Sequence, residues 1–164
     1  TSNVLVDDYV AEYCGNNGFL VYLTPGADGS KLVNVKIRNI KCNHNAKRGI
    51  TAILPVEIDT VECVGNGTSF SLTDNGGIAT NGGSITNADI RDNNGAAITY
   101  RDGGADAAYK KPLLLSDISA PYSATSQTHF MYSQDSYEGK NVRLRDVDAI
   151  GYSSANLFTS ASSC

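Results

Sequence analysis

Three aspartates, Asp89, Asp117 and Asp146, stand 28 and 29 residues apart, and each occupies the same place in a short recurring string. Carboxylates that recur at a structural period can be stacked on one face. At one or two strand spacings they match the roughly 5–5.5 Å or 6.5–9.5 Å separations at which glycosidase pairs work, one as acid and the other as nucleophile or base. The same oxygens suit Ca2+. Arg91 and Arg145 lie beside them and offer planar forks for a substrate carboxylate. This reading makes Asp89, Asp117 and Asp146 the acids of a polysaccharide-cleaving site. A plainer reading, and the favoured one, is that each Asp accepts a hydrogen bond from a nearby backbone amide and so closes a tight turn.

The remaining chemistry is sparse. His44 and His129 have no Cys or His at metal-ligand spacing, so a transition-metal site is not expected. The chain is rich in Ser and Asp but carries no nucleophile-elbow string. Asn66, Gly67 and Thr68 form an N-glycosylation acceptor pattern, a three-residue match of low specificity.

The elements that would position the aspartates emerge from a repeat. VKIRNI at 35–40, VEIDTV at 56–61, ITNADI at 85–90, LLLSDI at 113–118 and VRLRDV at 142–147 share one pattern, with a weaker copy, VLVDDY, at 4–9. Their starts, Val4, Val35, Val56, Ile85, Leu113 and Val142, are 31, 21, 29, 28 and 29 residues apart. Each copy is followed by a polar turn and an alternating stretch, as in CGNNGFLVYL, HNAKRGITAIL, VGNGTSFSL and DNNGAAITY, with SQTHFMY and SANLFT as degenerate versions. No window carries apolar residues at helical spacing for long enough to make a helix. The chain therefore reads as one domain over 1–164, an all-β stack of about six coils, each running strand, Asx turn, short strand, Gly turn, strand and loop. In this it resembles the right-handed parallel β-helix proteins of the pectin-lyase-like superfamily, which includes polysaccharide lyases, polygalacturonases and phage tailspikes. The resemblance is one of architecture and spans nearly the whole chain.

In a parallel stack, equal positions of neighbouring coils lie about 4.8 Å apart. The first and third columns, Val4 to Val142 and Val6, Ile37, Ile58, Asn87, Leu115, Leu144, are expected to face the core, with Asn87 needing an internal partner. The fifth column holds Asp8, Asn39, Thr60, Asp89, Asp117 and Asp146. Outside, Lys36 beside Glu57, and Arg38 between Asp7 and Asp59, alternate in sign and should fix register. Cys42 and Cys63 each lie seven residues into their coils, which predicts a disulfide between neighbours in an oxidising compartment. Cys14 and Cys164 fall at opposite ends of the stack and suit an intermolecular bond in a head-to-tail assembly, with Cys14 to Cys42 as the competing choice.

Loops near 24–32, 73–83, 101–112 and 133–140 should project from one side and bring Tyr109, Lys110, Lys111 and Tyr137, with the acidic Asp102 and Asp106, to a binding surface. A formal net charge of −4 argues against a nucleic-acid partner. No stretch is apolar for long enough to span a membrane. The chain begins at Thr1, so either a leader has been removed or the sequence belongs to something longer; no capping helix is apparent at either end. A structural or adhesive surface module is the leading expectation: a tailspike-like or filament subunit, extracellular, on a cell surface or on a virion, assembling with copies of itself and contacting polysaccharide. No organic cofactor is implied. The alternative is a polysaccharide lyase or glycoside hydrolase using the aspartates above, with Arg91, Arg145, Tyr109, Lys110 and Tyr137 holding substrate.

Overall fold

The computed structural model describes residues 2–22, 32–101, 112–133 and 142–160. Tyr109, Lys110, Lys111, Tyr137, Asp102, Asp106 and Cys164 lie outside the described residues.

The strands are β1 (Ser2–Glu12), β2 (Phe19–Tyr22), β3 (Leu32–Asn43), β4 (Arg48–Ile53), β5 (Val56–Val64), β6 (Gly76–Thr80), β7 (Gly83–Arg91), β8 (Ala96–Tyr100), β9 (Leu113–Ser119), β10 (His129–Ser133), β11 (Val142–Asp148) and β12 (Phe158–Ser160). Among the described residues a single four-residue helix, α1 (Ser154–Leu157), precedes β12. Odd strands form one sheet in the order β1-β3-β5-β7-β9-β11, and even strands form the other, β12-β10-β8-β6-β4-β2. Every pairing is parallel. The chain thus alternates between two sheets while advancing one strand at a time, which makes an all-β parallel solenoid, as the repeat predicts. About four turns are closed and buried, fewer than the six expected. The outermost rungs, β1–β2 and β11–β12, leave interior-column side chains exposed: Val4 is 41% exposed and Leu144 45%, against 0% for Ile37 and Leu115 inside the stack.

The core lies between the sheets. Val35, Ile37, Ile40, Val56, Ile58, Val61, Ile85, Ile90, Leu113, Leu115 and Ile118 from the first sheet join Ile50, Ile78, Ile98 and Phe130 from the second. β-branched residues dominate because their stiff side chains pack well on a pleated surface.

The long strands of the first sheet are bent at one place by residues of positive φ: Asp8 (53°), Asn39 (53°), Thr60 (55°), Asn87 (52°), Asp117 (56°) and Asp146 (50°). Five residues on, Tyr13, His44, Gly65 and Asp92 repeat the conformation at 56°, 55°, 65° and 58°. Asn and Asp tolerate this region better than other side chains carrying a Cβ, which accounts for five of the six residues at the first bend. Thr60 is the exception, a β-branched residue in a conformation that its second γ substituent opposes.

This bend corrects the register of the fourth rung. Gly83, not Ile85, pairs with both Val56 and Leu113, while Ile85 pairs with Ile58 and Leu115. Asn87 is therefore an exposed bend residue rather than an inward one, and Asp89 falls two places further on, opposite Glu62 and Ser119. Gly83 begins the rung because φ is 100° there and a Cβ would run into the backbone of Val56. SFSL is also not the third strand of its coil. That strand is β6, reached after the turns at 69–75, so the expected loop at 73–83 shrinks to the short Asn81–Gly82 turn.

Candidate functional site

The corner between the sheets is built on an interior ladder of amides that the sequence reading did not find. Asn45 donates from Nδ2 to Asn66 Oδ1 (3.0 Å), Asn66 to Asn93 Oδ1 (2.8 Å) and Asn93 to Gln127 Oε1 (2.9 Å). Each also donates to a main-chain carbonyl of the preceding rung, at Ala11, Cys42 and Cys63, and Gln127 does so to Ile90. In return the backbone amides of Cys14, Asn45 and Asn66 donate to the next rung's Oδ1. Gln127 reaches the Tyr152 hydroxyl at 3.1 Å, and burial pushes that phenol up to about 12. All four amides are buried with their polar groups satisfied, so the ladder is a structural feature. It also closes Asn66 to a glycan in the folded chain, because that side chain is buried and both its ends are bonded.

On the outer face the bend opens a groove of about 520 Å³ along β1, β3, β5 and β7. The bend residues Asp8, Asn39, Thr60 and Asn87 line one side, and Val10, Lys41, Glu62 and Asp89 the other. Lys41 Nζ is 3.7 Å from Glu62, and Arg91 Nε lies 3.1 Å from Asp89. Ahead of the bend, Lys36 pairs with Glu57 at 2.7 Å and Arg38 with Asp7 at 2.6 Å. The Arg38 guanidinium holds Asp7 below the usual carboxylate range. Asp59 is held low by the Asn87 amide and the Thr86 hydroxyl, at 2.7 and 2.9 Å, rather than by Arg38.

The three aspartates expected to act together are not in one column. Asp117 and Asp146 occupy the bend of neighbouring rungs, with Arg145 3.7 Å from each and bonded to Ser116 Oγ at 2.8 Å. Asp89 stands beyond the bend beside Arg91, so Arg91 and Arg145 belong to separate clusters. Among the described residues no group of three or more His, Cys, Asp or Glu side chains is placed to hold a metal.

Cys42 and Cys63 do stack in one buried column, but no disulfide joins them, and Cys14 is free as well. Side chains on neighbouring parallel strands project side by side at about 4.8 Å, whereas a disulfide wants Cβ atoms about 3.8 Å apart and turned toward each other. Burial pushes the Cys42 thiol up to about 12 and raises Cys63 as well. His44 is exposed, stacked on Tyr13 at 5.2 Å. His129 opens β10, and partial burial lowers its pKa.

Among the described residues, the two ends of the stack are the other open surfaces. At the β1 end Val4, Leu5, Tyr9, Val10, Tyr13 and Leu20 are exposed; at the β11 end Leu144, Ile150 and Phe158 are. A hollow of about 350 Å³ sinks into the β11 end between Phe130, Leu144, Val147, Ala149, Leu157 and Phe158, with Arg145 and Asp146 on its rim. No described helix is long and apolar enough to cross a membrane. Compared with family models, curated proteins and solved structures, the chain matches none of them, so what stands of the expected resemblance is the parallel solenoid itself.

Proposed function

We propose that this chain is a structural or adhesive module that associates with copies of itself through the ends of its solenoid, in an extracellular, cell-surface or virion setting, and that touches polysaccharide through its loops. The observation that carries this reading is the exposure of core-column residues and strand edges at both end rungs. Unpaired parallel edges template pairing with another chain unless something blunts them. Natural edges are blunted by charge, proline or bulges; β1 carries Asp7, Asp8 and Glu12 and a register shift at Ser2–Asn3, yet it also presents Val4, Leu5 and Val10 to solvent. Particle mass by sedimentation velocity, with and without reductant and beside electron micrographs, tests it. Species that grow with concentration are expected; a strict monomer at every concentration overturns it.

The enzymatic alternative rests on Asp117 and Asp146 flanking Arg145. Their left-handed backbone already accounts for the residue type at both positions. Asp117→Asn keeps that backbone preference and removes the carboxylate. Cleavage of an acidic polysaccharide by the wild-type chain, abolished in Asp117→Asn, would establish the alternative.

A further inference from the structure

We propose that each end is occupied by the opposite end of a second copy, in a single register: Val142 against Val4, Leu144 against Val6, Asp146 against Asp8 and, in the second sheet, Phe158 against Phe19. This deepens the self-association reading above and rests on it.

Backbone complementarity is the first argument. In a parallel stack every rung offers on one edge what its neighbour takes on the other, so the free edge of β11 matches the free edge of β1 by construction. The bend makes the match selective. Both edges turn at a left-handed residue, Asp8 with φ 53° and Asp146 with φ 50°, each four residues after the first inward valine. A straight strand can follow one arm of such an edge but not both, and a shift of two residues sets the bends out of line. Only a strand bent at this offset pairs along its whole length, and the chain carries such a strand at either end.

The side chains fit the same alignment. The hollow at the β11 end is lined by Leu144, Val147 and Phe158, which stand in the columns of Val6, Tyr9 and Phe19. At the β1 end Tyr9 and Phe19 form an edge-to-face pair with centroids 5.6 Å apart, an aromatic wedge facing an apolar hollow. Arg145 on the rim falls in the column of Asp7, where Arg38 already pairs with that carboxylate from inside the rung stack. The interface therefore repeats the Arg–Asp pairing found within the chain.

Leu5 and Arg143 provide the test. They share an outward column, both are exposed, and Leu5 is 56% exposed, so neither holds the core. In the proposed register Arg143 of one copy lies directly opposite Leu5 of the next. Like charges directly opposite weaken strand pairing, so Leu5→Arg should lower the association constant about 2- to 5-fold and Leu5→Glu should raise it by a similar factor. Leu5→Arg combined with Arg143→Glu, which restores an opposite-charge pair, should reverse the loss and raise association above the wild-type value by a similar factor. Circular dichroism of each variant confirms that the monomer is folded. If these variants associate like wild type while Leu144→Lys abolishes association, the ends meet in another register and this inference falls while self-association stands. If Leu144→Lys also leaves association unchanged, the copies meet through their sides and the inference falls. A wild-type chain that never associates removes both.

Discussion

The two sheets solve the same packing problem differently. In the first, burial alternates: β5 runs buried, exposed, buried, exposed, and outward residues of β1, β3 and β5 carry the Lys36–Glu57 and Arg38–Asp7 pairs. In the second, β6 and β8 are buried at every position. One sheet has a solvent face on which register is written in charge; β6 and β8 of the other are buried on both faces and hold Gly, Ala, Ile, Thr and Tyr. Stability should accordingly be concentrated in the second sheet and in the corner ladder, and the first sheet's outer face should be permissive.

Truncation in the second sheet is the most severe way to test this. Ile98→Ala removes a side chain with no exposure and should cost about 2–5 kcal/mol, read from urea midpoints at an unchanged slope. Asn66→Ala at the corner should cost about 1–3 kcal/mol, because it leaves the Cys42 carbonyl and the Asn45 amides without their partners.

The buried groups also predict an alkaline limit. Unfolded Cys42 and Tyr152 lose their protons near their ordinary values of 9.0 and 10.0, while the folded groups keep theirs to about 12. The unfolded state then binds fewer protons, so stability falls as pH rises from about 9 to about 12, by up to about 1.4 kcal/mol per pH unit for the buried Cys42 and by less for Tyr152, whose partial exposure to solvent screens it. Melting temperatures across this range should decline, and Tyr152→Phe should make the decline shallower above pH 10; a flat profile would contradict the burial of these groups.

The bend predicts a gain. Thr60→Asn should stabilise by about 1 kcal/mol, since Asn bears the left-handed conformation with less strain. The smallest effect belongs to the exposed face, where Lys36→Ala should change stability by about 0.2–1 kcal/mol and lose even that in high salt. A Lys36→Ala cost near that of Ile98→Ala would break the contrast between the sheets.

The same contrast explains what could be read in the sequence. The first sheet's columns were legible from period-two alternation, apart from the rung at 83–91. There a shift of two residues keeps Ile85 and Ile90 inward and changes sides only for Asn87 and Ala88, so ITNADI fits the pattern in either frame, and both Asn87 and Asp89 suit a left-handed bend. Gly83 hides the true start because it has no apolar side chain to mark the column. The ladder escaped for a related reason. Cys14, Asn45, Asn66 and Asn93 each lie ten residues after the true column start, but the misplaced start put Asn93 at eight. In the coil that starts at Val56, SFSL reads as the third strand in place of β6 because nothing in an alternating stretch tells a covered strand from a turn-rich loop. The Asp117–Asp146 neighbourhood was legible, and its separation from Asp89 was not, because it turns on the same two residues.

The left-handed column has a further consequence for how such a chain can change length. Between Val35 and Asn39, or Val142 and Asp146, deleting a single residue would rotate an ordinary side chain into a conformation that it resists and carry the tolerant one out of it. Between rungs no such constraint acts, and successive column starts already differ, with 31 residues from Val4 to Val35 and 21 from Val35 to Val56. Insertions and deletions are thereby confined to the connections, which leaves the spacing within a rung rigid while the surface it displays is free to grow or shrink.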